Sequence, residues 1–294
     1  MQNPLIELSQ SLAEIVENAA PYVVAVSARG KGVQSGVLID ATRILTVDHG
    51  VETDGEIQIL LPSGEIAAAS LLGRDPGSDL TLLQLEAPFG PAGPLTLADG
   101  ATLGELVIGV SRSAETGPNA TLGMLSALSG PWRTWKGGKL DHFLRLDIGM
   151  HPGLSGSVAL RADGTILGLI TAGLVRGAAI VIPASNLNNF VTTVESYGGV
   201  SRGYLGVGLQ PVPHPAGMIV LSVEADSPSS AAQLMVGDVI LSIGGQPARD
   251  FANIQEFLEP PHVGQQIPLR IHRAGQELEL KVEIGQRPHV RVSA

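Results

Sequence analysis

From Tyr22 to Ile182 the chain is written as short apolar runs of strand length, each closed by a turn signal, and this rhythm limits the fold more than any other feature. The first series is Tyr22–Ser27, Gln34–Ile39, Arg43–Val47, Glu56–Leu61, Glu65–Leu72 and Leu80–Leu85. Breaks such as Pro62-Ser63-Gly64 and Asp75-Pro76-Gly77 separate them. A second series follows: Leu106–Val110, Ala120–Leu128, Phe143–Asp147, Ser157–Leu160, Ile166–Ala172 and Ala178–Ile182. No helical pattern alternates with these runs, so a parallel α/β sheet is excluded and a pair of small antiparallel barrels or sheets is expected. The 37 glycines and 20 prolines supply the turns. With 2 Trp, 3 Tyr and 5 Phe, the cores must be built from Val, Leu, Ile and Ala.

Helical spacing appears in two places. Leu5, Leu8, Leu12, Ile15 and Val16 predict an N-terminal helix closed by Pro21, and Pro183 introduces a second helical stretch, Ala184–Tyr197. Gly198-Gly199-Val200-Ser201 reads as a linker. Beyond it, the strand-like runs Gly203–Gln210, Met218–Val223, Val239–Ile243, Pro268–His272 and Glu277–Ile284 enclose two short helical segments, Ser229–Leu234 and Phe251–Leu258. The Pro-rich Pro211–Pro215 reads as a loop. The expected domains are therefore 1–198 and 203–287.

Charge and cysteine content narrow the function classes. A formal charge of −10, from 18 basic and 28 acidic residues without a basic cluster, argues against nucleic acid as a partner. Without cysteine there is no disulfide, zinc–thiolate site or Cys nucleophile. The first basic residue is Arg29, preceded by Glu7, Glu14 and Glu17, which does not fit a signal peptide. Thr165 to Pro183 is too broken by glycines and Arg176 for a membrane span and reads as two buried strands. As written, the chain is expected to be soluble and cytoplasmic, with a removed export signal left open.

The segment Pro152-Gly153-Leu154-Ser155-Gly156-Ser157 is the sharpest chemical signal. A serine hydroxyl attacks a carbonyl only when a base takes its proton, and the resulting oxyanion needs N–H donors. Glycines around Ser155 allow a tight turn that leaves the Gly153 and Ser155 amides free to converge. The same six residues also fit an ordinary Gly/Ser turn. His49 ends an apolar run at a strand-to-loop junction, and Asp79 immediately precedes the run Leu80–Leu85. Either alone fits a structural role. Together with Ser155 they give the order His, Asp, Ser used by chymotrypsin-like double barrels.

At this point the sequence resembles the HtrA/Deg-type serine proteases, in which a trypsin-like double barrel precedes a PDZ domain. The resemblance spans roughly Leu12 to Gln286. It is carried by Ser35-Gly36-Val37-Leu38-Ile39-Asp40, Ile44-Leu45-Thr46-Val47-Asp48-His49, Asp75-Pro76-Gly77-Ser78-Asp79-Leu80, Leu122-Gly123-Met124-Leu125-Ser126-Ala127-Leu128 and the loop Asp147 to Ser157. The resemblance implies a mainly β fold and a catalytic set of His49, Asp79 and Ser155. It also implies an oxyanion hole from the Gly153 and Ser155 amides, with no metal or cofactor. The chain departs from the family at Leu154, where Asn is usual, and at Ser157, where Gly is usual, which questions the local backbone geometry. Ser111-Arg112-Ser113-Ala114-Glu115 replaces the usual Gly-Asn-Pro-Phe-Gly, and His151, in place of a frequent Asn, reads as a loop residue.

Trypsin carries an acid in its specificity pocket at the position that is Gly149 here, so cleavage after Lys or Arg is not expected and small or medium apolar side chains are. Arg202-Gly203-Tyr204-Leu205-Gly206-Val207 resembles the carboxylate-binding loop of HtrA-type PDZ domains, and Gly237 to Gly245 supports the same family. Tyr204, Leu205, Gly206 and Val207 are thus the expected peptide-binding residues, with a peptide adding as a strand beside Leu205–Leu209. The expected function is endopeptidase action on unfolded or misfolded polypeptides, the PDZ domain binding exposed C-termini. The alternative is a non-catalytic, protease-like scaffold that presents peptides. An α/β-hydrolase is excluded by motif, residue order and element pattern. Relatives of this type are commonly trimers, so a homotrimer is a further expectation.

Overall fold

The computed structural model describes residues 3–28, 32–51, 55–90, 97–98, 100–197, 203–258 and 262–286. The expected linker 198–201, Arg202 and residue 287 lie outside them. The chain divides into two units, Met1–Val200 and Ser201–Ala294.

In the first unit, helix α1 (Pro4–Ala19) is started by Asn3, whose side chain accepts the Leu5 amide at 3.1 Å, and by Pro4 in its first turn. Strands β1 (Val23–Ala28), β2 (Gln34–Leu38), β3 (Arg43–Thr46), β4 (Ile57–Leu60), β5 (Ile66–Asp75) and β6 (Leu80–Leu85) close into a barrel in the order β1-β2-β3-β6-β5-β4. After it come β7 (Leu106–Ser113) and β8 (Gly117–Ser129), then a small hairpin, β9 (Trp132–Arg133) with β10 (Lys139–Leu140). Strands β11 (Phe143–Asp147), β12 (Val158–Arg161), β13 (Ile166–Thr171) and β14 (Ala179–Pro183) complete a second barrel, ordered β11-β14-β13-β12-β7-β8. Helix α2 (Ala184–Tyr197) ends the unit's described part.

The apolar runs are nearly continuous because many strands are buried on both faces. Val24, Val26, Leu38 and Ile44 fill the first barrel, while Val23, Val37 and Leu45 on the opposite faces join a core shared between the barrels. Val158, Leu160 and Leu169 enter that shared core from the second barrel, whose own interior holds Ala159, Leu167 and Ile170. Leu12, Ile15 and Val16 of α1 and Leu187, Phe190 and Val194 of α2 cover its outside. The buried Arg112 guanidinium donates to the Ala20 carbonyl at 3.0 Å and to Val23, capping the end of α1 from the second barrel. Burial holds its pKa below the usual arginine value.

The second unit is a sheet of β16 (Val207–Pro213), β17 (Ala216–Val223), β18 (Val239–Ile243), β20 (Gln266–Arg273) and β21 (Gln276–Glu283), in that order, with β19 (Gln246–Pro247) paired to β18. A short pair joins β15 (Gly203–Tyr204) to β22 (Gly285–Gln286), and α3 (Pro228–Ala231) and α4 (Phe251–Glu256) complete it. Two expectations need correction. The run Gly203–Gln210 is not one strand but breaks at Leu205-Gly206, because Gly206 turns into left-handed backbone at φ +68°. Pro211–Pro213 belongs to β16 rather than to a loop, which is permitted because β16 is an edge strand and prolines there forfeit no interior ladder bond.

Asp238 anchors this unit. Its carboxylate accepts Arg273 Nε and Nη2, both at 2.7 Å, and the Met235 amide at 2.8 Å. Burial alone would raise the Asp238 pKa, but these bonds outweigh it and carry the group below 3.8. A depressed carboxylate contributes stability above its unfolded value, and that contribution is lost as pH falls through the folded value. Arg273→Leu is therefore expected to cost about 2 kcal/mol in urea unfolding near neutral pH. It should also blunt the loss of stability below pH 3.8. An unchanged unfolding midpoint would contradict this reading.

Candidate active site

The groups that resemble a hydrolytic site come from both barrels. His49 sits in a single 3-10 turn, Asp48–Gly50, directly after β3 and Val47. Asp79 ends the turn between β5 and β6 in left-handed backbone, φ 61°, which a short acidic side chain tolerates. His49 Nδ1 lies 2.9 Å from Asp79 Oδ2 and 3.0 Å from Oδ1, while the His49 amide donates to Oδ1 at 3.0 Å. The Asp79 carboxylate is 2 % exposed and takes a further bond from Thr171 Oγ1. A buried carboxylate with this many donors fixes the imidazole's orientation and leaves Nδ1 as the bonded nitrogen. Beside it, Arg74 pairs with the buried Asp48, which also accepts Thr81 Oγ1 at 3.3 Å, so the turn that carries His49 is pinned.

Ser155 lies between β11 and β12, and its Oγ accepts the Ala172 amide at 3.1 Å. Among the described residues no hydrogen bond joins Ser155 Oγ to His49. Both side chains line one cleft of about 490 Å³, together with Glu115, Met150, His151, Gly153, Leu154 and Ala172. The loop turns through two left-handed glycines, Gly153 (φ 81°) and Gly156 (φ 84°). A Cβ on Gly156 would fall 1.8 Å from the Ser35 carbonyl oxygen, so only glycine fits there.

Backbone accounting within this loop is informative. The amides of Leu154, Gly156 and Ser157 donate to His151, Ile170 and Leu154 carbonyls at 3.1, 2.8 and 3.1 Å. Those of Gly153 and Ser155 have no protein acceptor among the described residues. The departures at 154 and 157 are accommodated: Leu154 is a core side chain, 1 % exposed, and the Ser157 hydroxyl donates back to the Leu154 carbonyl. Gly149 lies exposed after β11 and is not among the residues lining the cleft. His151 is exposed at the cleft, its Nδ1 3.0 Å from the Pro152 carbonyl.

In the second unit, Leu205 is buried and Gly206 is held tightly, since a Cβ there would meet Ser227 Cβ at 2.2 Å. The Leu205 and Gly206 carbonyls accept Ser229 and Glu224 amides at 2.9 and 2.8 Å, whereas their own amides have no acceptor among the described residues. Tyr204 Oη donates to Glu224, and Val207 opens edge strand β16.

Comparison with known proteins agrees with this fold. Residues 34–169 match the trypsin-like peptidase domain and residues 203–284 the PDZ domain. The chain is of the HtrA/Deg type. It is 32 % identical over 260 residues to a probable periplasmic serine endoprotease DegP-like of Pseudomonas fulva, covering 83 % of this chain and 54 % of that protein. With the periplasmic pH-dependent serine endoprotease DegQ of Escherichia coli it shares 29 % identity, covering 86 % and 59 %. The chain thus spans little more than half the length of these relatives. Among solved structures, the HtrA-type protease AlgW with decapeptide superposes with a TM-score of 0.74 at 26 % identity, covering 95 % of this chain and 99 % of that one. The serine endoprotease from Yersinia pestis gives 0.75 at 27 %, covering 94 % and 98 %.

One expectation falls here. These relatives are periplasmic, which overturns the cytoplasmic reading. That reading rested on the acidic residues Glu7, Glu14 and Glu17 that precede Arg29, and a transport signal leaves no mark on the folded domains. Among the described residues no helix is long and apolar enough to cross a membrane.

Sequence reasoning gave no role to three residues at the site. Thr171 bonds Asp79 from a strand 92 positions away, Ser35 reaches the Ser155 loop from the other barrel, and Gly173 makes room for the His49–Asp79 pair. A Cβ on Gly173 would lie 2.6 Å from His49 Nδ1 and 2.7 Å from Asp79 Oδ2. Gly173→Ala is therefore expected to destabilise the first unit by about 1–3 kcal/mol and to remove the low-field proton NMR signal of the His49 Nδ1–H. Retention of that signal would contradict the close packing.

Proposed function

We propose that the chain is a serine endopeptidase in which Ser155 attacks, His49 moves the proton and Asp79 holds His49. The observation that carries this reading is the buried Asp79 carboxylate bonded to the His49 ring at the edge of the cleft that also holds Ser155. In the proposed sequence His49 Nε2 takes the Ser155 proton as Oγ adds to the scissile carbonyl, then returns it to the leaving amine. Water repeats the cycle on the acyl-enzyme. The two unspent amides, Gly153 and Ser155, suit the developing oxyanion. Serine–imidazole bonds of this kind tighten when substrate is engaged.

For substrates, we propose unfolded or misfolded polypeptides; the relatives' names support endopeptidase action and a periplasmic setting. The cleft lining includes the apolar Val33, Met150 and Ala172, which suits small or medium apolar side chains beside the scissile bond. In the PDZ domain, the Leu205 and Gly206 amides would hold a terminal carboxylate while the peptide extends the sheet along β16.

A fluorophosphonate probe is expected to label Ser155, and His49→Ala to lower peptide-hydrolysis kcat by roughly 10⁴-fold or more. Absence of labelling, under conditions where a control protease reacts, would leave the scaffold alternative standing. For the PDZ domain, amidating the C-terminus of a bound peptide should weaken calorimetric affinity by about 10- to 100-fold. Equal affinity for acid and amide would rule out carboxylate capture.

A further inference from the structure

Ser35 is fully buried at the start of β2, and every polar atom it owns is directed to a stated partner. Its hydroxyl donates to the Gly153 carbonyl at 2.7 Å and accepts the Arg112 amide at 2.9 Å. Its amide donates to the Ser155 carbonyl at 2.9 Å, and its carbonyl accepts Thr46 Oγ1 at 2.7 Å. One residue of the first barrel therefore holds the second barrel's loop at two points, on the same two residues whose amides are left without a protein acceptor. Gly156 closes against the Ser35 carbonyl at the same place.

We propose that Ser35 is a positioning residue for the reaction, its hydroxyl setting the backbone of Gly153, and through it the oxyanion donors, from across the barrel seam. The inference rests on the reading of Ser155 as nucleophile and deepens it. The hydrogen bond from the Ser35 amide to the Ser155 carbonyl belongs to the backbone and survives any substitution except proline. The hydroxyl bonds to Gly153 and Arg112 are particular to this side chain. Without the hydroxyl, the Gly153 carbonyl loses its donor and the Arg112 amide its acceptor inside a water-excluded seam, and the loop must shift to satisfy them. A displacement of this kind weakens transition-state binding far more than substrate binding, because the oxyanion exists only in the transition state.

The test compares wild type, Ser35→Ala and Ser35→Cys in the whole chain, with active sites counted by fluorophosphonate titration at Ser155. For Ser35→Ala, kcat per titrated site is expected to fall roughly 10- to 100-fold with KM little changed. A peptide boronate, which mimics the tetrahedral state, should lose affinity by a similar factor. Ser35→Cys keeps the size and a weak donor, and should recover part of the loss. If Ser35→Ala does not fold, Ser35→Cys against wild type makes the same comparison. Unchanged kcat per titrated site, with only the titratable fraction or the melting temperature reduced, is the signature of a structural role alone and overturns the proposal for Ser35. Failure of wild type to react at Ser155 is a different result, and it overturns the underlying reading together with this one.

Discussion

The first unit depends on one line of contact, where the backbone of Ser35 in one barrel meets the Ser155 loop of the other. The Ser35 amide binds the Ser155 carbonyl at 2.9 Å, and Gly156 packs so closely against the Ser35 carbonyl that no side chain fits. His49 and Asp79 belong to the first barrel, Ser155 and its flanking amides to the second. Neither barrel alone carries a complete set. The arrangement therefore exists only if the barrels dock in one register, and the shared core of Val37, Leu45, Val158, Leu160 and Leu169 supplies the non-directional attraction that holds them together. The hydrogen bonds along the seam then select the register, because a slipped pairing would bury unpaired amides and carbonyls.

This division explains why strain and close approach gather at the site. Asp79, Gly153 and Gly156 all take left-handed backbone, and Gly173 is packed against the His49 and Asp79 side chains. Such conformations persist when surrounding structure over-determines them. Here the Asp79 carbonyl accepts the Asp48 amide at 3.2 Å, and its carboxylate is bonded by His49 and Thr171, so the turn has little freedom left. A rigid carboxylate–imidazole pair is what proton transfer at a fixed distance requires.

Much of the fold was legible from local pattern. Leu80–Leu85, Phe143–Asp147, Val239–Ile243 and Ala184–Tyr197 form elements with the bounds their periodicity and flanking turns suggest. Two-residue strands such as Trp132–Arg133 and Lys139–Leu140 left no periodic trace, and the break at Leu205-Gly206 was hidden inside an apolar run whose two halves both favour strand. His49, Asp79 and Ser155 stood out as candidates because glycines, turn residues and chain order mark them. Thr171, Gly173 and Ser35 could not. Each acts through a partner distant in sequence, as when Ser35 reaches Gly153 across 118 positions, and an isolated Ser or Thr in a strand looks like any other strand residue.

The central claim is that groups from two barrels converge on one reacting carbon, and a crystal structure of the chain with a covalently bound peptide boronate tests it most directly. The account predicts boron bonded to Ser155 Oγ, and one boronate oxygen within about 3 Å of both the Gly153 and Ser155 amide nitrogens. His49 Nε2 should face the remaining oxygen, with Nδ1 still on Asp79. Boron attached elsewhere, or an adduct at Ser155 whose oxygens meet neither amide, would contradict it.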